Sequence, residues 1–273
     1  MTKLSVKLGI IGGGVMAEAI LSCLLSRGVY HANEIYISEP VATRRDFLAS
    51  TYGVLVTGDN ALVGAAETLL LAVKPQVLAQ VMAQLPSLQS NLLLSILAGV
   101  TLEQINQVLP PNRPEELAIV RAMPNTPAQV GAGVTALAYG PSITDEQRAR
   151  SRQIFAAVGG VVEVPENLMD AVTGLSGSGP AYIALVAEAL ADGGVAAGLS
   201  RATALQLAIE TILGTATLLK QTGMHPAQLK DRVSSPGGTT IAGVRQLEQA
   251  GIRSAMIEAV LAATQRAKEL GKG

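Results

Sequence analysis

The chain has few of the residues from which most enzymatic centres are built. Its 273 residues include one cysteine, two histidines and no tryptophan, and aromatics reach only 3%. A single thiol, Cys23, forms no internal disulfide, and two histidines, His31 and His225, build no His-rich metal site. A reducing, cytoplasmic compartment is therefore expected. No Ser–His–Asp pattern, Cys–His pairing, Asp-rich metal cluster or H-E-x-x-H string is present, so the chemistry must be of another kind. Charge of one sign is also lacking. The 20 Lys and Arg balance 21 Asp and Glu to a net charge of −1, which argues against nucleic acid as the main partner. From Pro75 to Leu102 there is no charged residue, yet Gln84, Pro86, Gln89, Ser90 and Asn91 interrupt the run. Its continuous apolar part is far below the roughly 20 residues of a membrane span. The N-terminal apolar stretch reaches Gly12–Gly14 too early for a signal-peptide core. A soluble protein without membrane attachment is expected.

What is present is aliphatic. Hydrophobic residues make up 49%, charged ones 15%, and there are 28 glycines, which excludes disorder and predicts a core of Ala, Val, Leu and Ile. The first half alternates short β-like runs with amphipathic stretches. Strands are predicted at 7–11, 34–38, 54–56, 68–73 and 91–97, and shorter ones at 118–122, 134–138 and 161–164. Several are apolar throughout, as in a parallel sheet covered on both faces. Helical spacing falls between them at 15–26, 43–52, 76–85 and 144–157, the last opened by Thr144 with Gln147 three residues on. Repeated strand–helix–strand order predicts a doubly wound α/β domain. After Pro165 no strand is predicted. Ala- and Leu-rich helices follow at 181–197, 201–220, 240–250 and 253–270. Several are apolar on more than one face, more than a monomer could bury. The expected division is 1–164 for the α/β domain and 165–273 for an all-helical one.

The first strand runs into Gly12-Gly13-Gly14-Val15-Met16-Ala17, in which Gly12, Gly14 and Ala17 fit G-x-G-x-x-[G/A]. Such a turn lets the backbone approach a pyrophosphate at a helix N-terminus, so a Rossmann-type dinucleotide site is expected. At the tip of the second strand stands Ser38, followed by Glu39 and by Arg44 and Arg45. Ser38 with the two arginines favours the 2′-phosphate of NADP, whereas Glu39 favours NAD if its carboxylate turns inward. The arginines could equally be a solvated pair on the next helix. Lys74, before Pro75, and Ala98, before Gly99, end the fourth and fifth strands, where an open sheet binds its ligand. The rigid stretch Arg121–Pro127 either shapes a pocket floor or is a stiff connector. Gly174–Ala181 and Ser234–Thr240 each lead glycines into a helix, either as anion nests or as ordinary caps. His225 reads as a turn residue and Cys23 as core.

These strings resemble the pyrroline-5-carboxylate reductase family over nearly the whole chain, most specifically in AVTGLSGSGPAY (171–182) and DRVSSPGGTTIA (231–242). The resemblance implies a nucleotide-binding domain followed by a helical domain that interlocks with a partner into a homodimer, with higher assemblies of dimers in some members. It implies NADPH as cofactor, with NADH accepted by some, and reduction of the cyclic imine 1-pyrroline-5-carboxylate to L-proline. The matching cofactor positions are Ile11, Gly12, Gly13, Gly14, Val15, Met16, Ser38, Asn60, Val73, Lys74 and Ala98; the substrate positions are Ser235, Thr239 and Thr240. On this basis amides at Gly238–Thr240 hold the substrate carboxylate and the Thr240 hydroxyl serves the ring nitrogen. Arg232 departs from relatives carrying Asn there and receives no role. Hydroxy-acid dehydrogenases share the two-domain plan but need a base, and Pro180–Ile183 supplies neither Lys nor His. A catalytically silent NADP sensor is disfavoured by the Ser234–Thr240 string.

Overall fold

The computed structural model describes residues 6–271; Lys3 of the N-terminal stretch lies outside them. One eight-stranded sheet is formed by β1 (Leu8–Ile11), β2 (Ile35–Ser38), β3 (Leu55–Thr57), β4 (Thr68–Leu71), β5 (Leu92–Ser95), β6 (Ala118–Met123), β7 (Gly133–Tyr139) and β8 (Gly159–Glu163). Its order is β3-β2-β1-β4-β5-β6-β7-β8. The first six strands run parallel; β7 is antiparallel to β6 and β8 parallel to β7. This is the doubly wound arrangement, with its order reversing between β1 and β4.

The sheet is dry on both faces because its central strands are leucine-rich. Leu70, Leu92 and Leu94 pack with Ile20, Leu21 and Leu24 of α1 (Val15–Ser26) and with Phe155 of α6 (Asp145–Ala156). On the other face Leu69, Leu71 and Leu93 meet Leu78, Val81 and Met82 of α4 (Leu78–Ala83) and Ile105 of α5 (Leu102–Val108). Each such leucine contributes about 1.5–3 kcal/mol by leaving water. Also present are α2 (Ala42–Tyr52), α3 (Asn60–Val63) and α7 (Met169–Val172).

Four helices, α7 among them, were not expected from periodicity because they span only one or two turns. The start of α3 is capped by the Asp59 carboxylate, which accepts from the Ala61 N–H. A reciprocal box of Thr101 and Gln104 opens α5. Another, α10 (Pro226–Arg232), begins at His225, whose ring nitrogen accepts from the Ala227 N–H at 3.2 Å. The expected helix at 76–85 is shortened because Pro75–Val77 forms a 3-10 turn first.

Two compact units emerge: Met1–Gly177 with Ala263–Gly273, and Ser178–Ala262. The break therefore lies beyond the composition change at Pro165, because Met169 is buried against Ala136 and Ala138 of β7. The end of the last helix, α12 (Ile252–Leu270), also belongs to the first unit, where the Gly271 carbonyl accepts from the Gln104 side chain. In the second unit α8 (Gly179–Ala196) and α9 (Arg201–Thr222) pack so closely that a Cβ at Gly194 would lie 2.9 Å from that of Ala204. There, α11 (Thr239–Gln249) completes the set. Gly174 and Gly177 do not form an open nest. Thr173–Gly177 is a π-helical turn, with the Thr173 and Ser176 hydroxyls each donating to a carbonyl one turn back at 3.0 Å.

Candidate active site

Parallel register places the carboxyl ends of β1, β2, β4 and β5 along one edge, since Ile11 pairs with Ser38 and Leu71, and Leu71 with Ser95. Everything expected of the cofactor leaves from that edge. Gly12 has φ +97°, and a Cβ there would lie 2.7 Å from the Ala72 carbonyl and 3.0 Å from Val73. Only glycine lets the turn press against the β4 exit. At Gly14 the reason differs: apart from the adjoining residues, nothing lies within 4 Å of the place a Cβ would occupy. Gly14 is the N-cap of α1 and no side chain caps that terminus. Space kept open beside uncapped amides fits a pyrophosphate. Buried Ile11 and Ala17 anchor the strand and helix on either side of the turn, while Val15 is two-thirds exposed at the helix tip and Met16 half-buried.

Ser38 is buried at the end of β2, where its hydroxyl donates to the Asn60 side-chain oxygen at 2.6 Å; the Asn60 amide in turn donates to Gln84. Thus Ser38 and Asn60 form one unit. Lys74 is the exposed N-cap of the 3-10 turn after β4, and Ala98 is exposed three residues before Thr101, the N-cap of α5. Asn125 accepts from the Val134 N–H and donates to the Ser176 carbonyl, which brings the Arg121–Pro127 stretch beside Gly174–Gly177. That bridge was legible only as two separate odd segments.

The two arginines differ. The Arg44 Nε donates to the Gly13 carbonyl at 2.6 Å and its terminal nitrogen pairs with Glu18. Burial pushes the Glu18 carboxyl up, but hydrogen bonds from Arg44 and Tyr52 outweigh it and hold it below the ordinary value. Arg44 is thus committed within the protein, contrary to the reading of it as a phosphate ligand. Arg45 lies over the tip of β2, donating to the carbonyls of Glu39 and Pro40 at 2.8 Å. Glu39, which from sequence favours NAD only if its carboxylate turns inward, is buried with its carboxylate accepting from the Gly13 and Val41 amides.

In the helical unit, Ser234–Thr240 links α10 to α11. Gly237 has φ +67°, and Gly238 is the N-cap of α11 with no side-chain cap. The Gly238 N–H is occupied by the Ser235 carbonyl at 3.0 Å. It therefore drops out of the expected anion cradle, leaving the amides of Thr239 and Thr240 at the uncapped helix start. A Cβ on Gly238 would stand 2.3 Å from the Ser235 hydroxyl, so Ser235 and Gly238 are close neighbours. Thr239 is exposed and Thr240 half-buried. Among the described residues no group of three or more His, Cys, Asp and Glu could hold a metal ion.

A glycine turn at the switch point of a doubly wound sheet, followed by an all-helical half, defines a dinucleotide-dependent oxidoreductase. Residues 7–99 match the family described as NADP oxidoreductase, coenzyme F420-dependent, and 166–270 that of pyrroline-5-carboxylate reductase dimerisation. A pyrroline-5-carboxylate reductase of Synechocystis sp. is 59% identical over 98% of this chain and the whole of the relative. Among solved structures, a pyrroline-5-carboxylate reductase from Coxiella burnetii superposes with TM-score 0.90 at 37% identity, covering 97% of this chain and 98% of that one. The Plasmodium falciparum pyrroline carboxylate reductase with NADP bound gives 0.83 at 28% identity, over 98% and 99%. The chain belongs to the pyrroline-5-carboxylate reductase family.

Proposed function

We propose that this chain reduces 1-pyrroline-5-carboxylate to L-proline with NAD(P)H, preferring NADPH. The observation that carries the reading is the pairing of an uncapped glycine turn at the sheet's switch point with an uncapped helix start preceded by Ser-Ser-Pro-Gly-Gly. The first suits a pyrophosphate and the second a small carboxylate. Membership of the family supplies the substrate.

The reaction asks little of side chains. A protonated cyclic imine accepts hydride directly at its C=N carbon, and the cofactor supplies that hydride from nicotinamide C4. The chain's own task is to hold both partners, which explains a sequence without a catalytic triad. Gly12–Met16, with Ser38, Asn60, Val73, Lys74 and Ala98, binds the dinucleotide. Arg45, beside Ser38, faces the 2′-phosphate. Ser235, Thr239 and Thr240 bind the substrate carboxylate, and the Thr240 hydroxyl stabilises the ring nitrogen as the C=N bond becomes an amine.

The protein acts as a homodimer in a cytoplasmic, reducing compartment, in keeping with the single buried thiol Cys23. The helical unit buries only Ala191, Ala204 and Ala208 in its own core, while Ile183, Leu185, Leu205, Ile209 and Leu213 remain exposed around a groove of about 1260 Å³. By length and composition α9 could cross a membrane, at a mean hydropathy of 1.4. It carries Glu210 at its middle and lies within the dimerisation match, so a second subunit covers this face. NADPH oxidation in the presence and absence of the imine tests the function: imine-dependent consumption supports it, and none with folded protein refutes it.

A further inference from the structure

Gly13, the middle of the three glycines, is held from both sides by residues that the cofactor reading leaves without a role. Its N–H donates to Glu39 Oε2 at 2.8 Å and its carbonyl accepts from Arg44 Nε at 2.6 Å. Neither holder is loose. The second Glu39 oxygen accepts from the Val41 N–H at the start of α2, and Glu39 is only 8% exposed. Arg44 is braced by Glu18 of α1, whose other oxygen accepts from the Tyr52 hydroxyl at 2.8 Å, and its guanidinium lies 5.0 Å from the Phe47 ring. The β2–α2 connection thus grips the two peptide groups on either side of the Gly13 Cα through two charged groups, each with a second anchor. Hydrogen bonds to charged groups are the strong ones, so each peptide is held in one orientation.

We propose that Glu39 and Arg44 are positioning residues that clamp the two peptides flanking Gly13 and so pre-set the turn that receives the cofactor's pyrophosphate, serving NADPH and NADH alike. The inference rests on the reading of Gly12–Met16 as the dinucleotide site. It divides the adjacent arginines: Arg44 acts through the turn, and Arg45 acts on the 2′-phosphate. A preorganised site loses less on binding than one that must be ordered by its ligand.

The test is equilibrium binding, with NADPH and NADH titrated by fluorescence and adenosine 2′-monophosphate, which carries the 2′-phosphate but neither phosphate of the pyrophosphate, by calorimetry. Arg44→Ala should weaken NADPH and NADH by the same factor, on the order of tenfold, and leave adenosine 2′-monophosphate unchanged. Arg44→Lys keeps the charge but loses the Nε donor, and it should show the same equal loss. Arg45→Ala should weaken NADPH and adenosine 2′-monophosphate but leave NADH unchanged. Because Glu39 and Arg44 hold successive peptides of one turn, Glu39→Ala with Arg44→Ala should cost less than the product of the single losses. Should Arg44→Ala be too unstable to assay, Arg44→Lys and the isosteric Glu39→Gln carry the test, the latter with a smaller loss equal for both dinucleotides. The clamp is overturned if Arg44→Lys retains wild-type affinities, or if Arg44→Ala weakens NADPH and adenosine 2′-monophosphate while sparing NADH. Wild-type protein that binds neither dinucleotide overturns the dinucleotide reading itself, and the clamp with it.

Discussion

Thr240 is where the proposed chemistry is most concentrated. Its amide stands at an uncapped helix start and its hydroxyl on the first turn of α11. Thr240→Ala is expected to lower kcat/KM for the imine by a hydrogen bond's worth, roughly 0.5–1.5 kcal/mol if the bond is ordinary and more if it strengthens in the transition state. Gly238→Val should cost more, since its Cβ would press on the Ser235 hydroxyl and displace the loop. In both variants NADPH affinity, by fluorescence titration, should stay near wild type. Full kcat/KM in Thr240→Ala, or a collapse of NADPH binding, would separate this loop from the substrate. At this scale the sequence was partly legible. Gly12, Gly14 and Ser38 stand out because turn geometry and strand position restrict residue type. Glu39 and Arg44 are visible too, but their contacts are not, because nothing in a linear string tells which way a carboxylate or guanidinium points. Only the fold turns both onto Gly13.

At the scale of elements, the strands were legible because a sheet buried on two faces needs unbroken Leu and Ile, as in Leu69–Leu71 and Leu92–Leu94. One- or two-turn helices such as α3 and α10 show no period to detect, and only caps like Asp59 and His225 announce them. Charge then ties peripheral elements together. Glu163 at the end of β8 binds Arg152 of α6 at 2.7 Å and also meets Arg148 and Tyr139. The Arg152 hydrogen bond holds its carboxyl below the ordinary 4.5, against the opposing effect of burial. A lowered folded-state pKa stabilises above the ordinary value and is lost as pH falls through the folded one. Glu163→Gln should therefore cost up to about 1 kcal/mol in denaturant unfolding at neutral pH, as expected for a partly exposed network. The gap between variant and wild type should close as pH drops below 4.5. A gap unchanged by acid would mean that the ion pairs do not hold β8 to α6.

The whole molecule was legible in outline, because the loss of strands after Pro165 marks where the sheet stops growing. The edge of the compact unit was less so: Met169 looks like part of the helical half in composition but is buried on β7. Nor does composition reveal that the end of α12 returns to the first unit. A helical unit with a core of three alanines cannot leave its leucines in water. Sedimentation at micromolar concentration should find dimers or larger assemblies, and replacing Leu213 by Glu should release monomer and abolish activity. A folded, active monomer would contradict the homodimer. The central claim is imine reduction by NAD(P)H, and one assay meets it most directly. Purified protein is mixed with NADPH and 1-pyrroline-5-carboxylate, absorbance is followed at the nicotinamide band, and proline is quantified at the end. The account predicts imine-dependent oxidation of NADPH with one proline formed per NADPH consumed. NADPH that binds yet is not consumed, or consumption without proline, would contradict it.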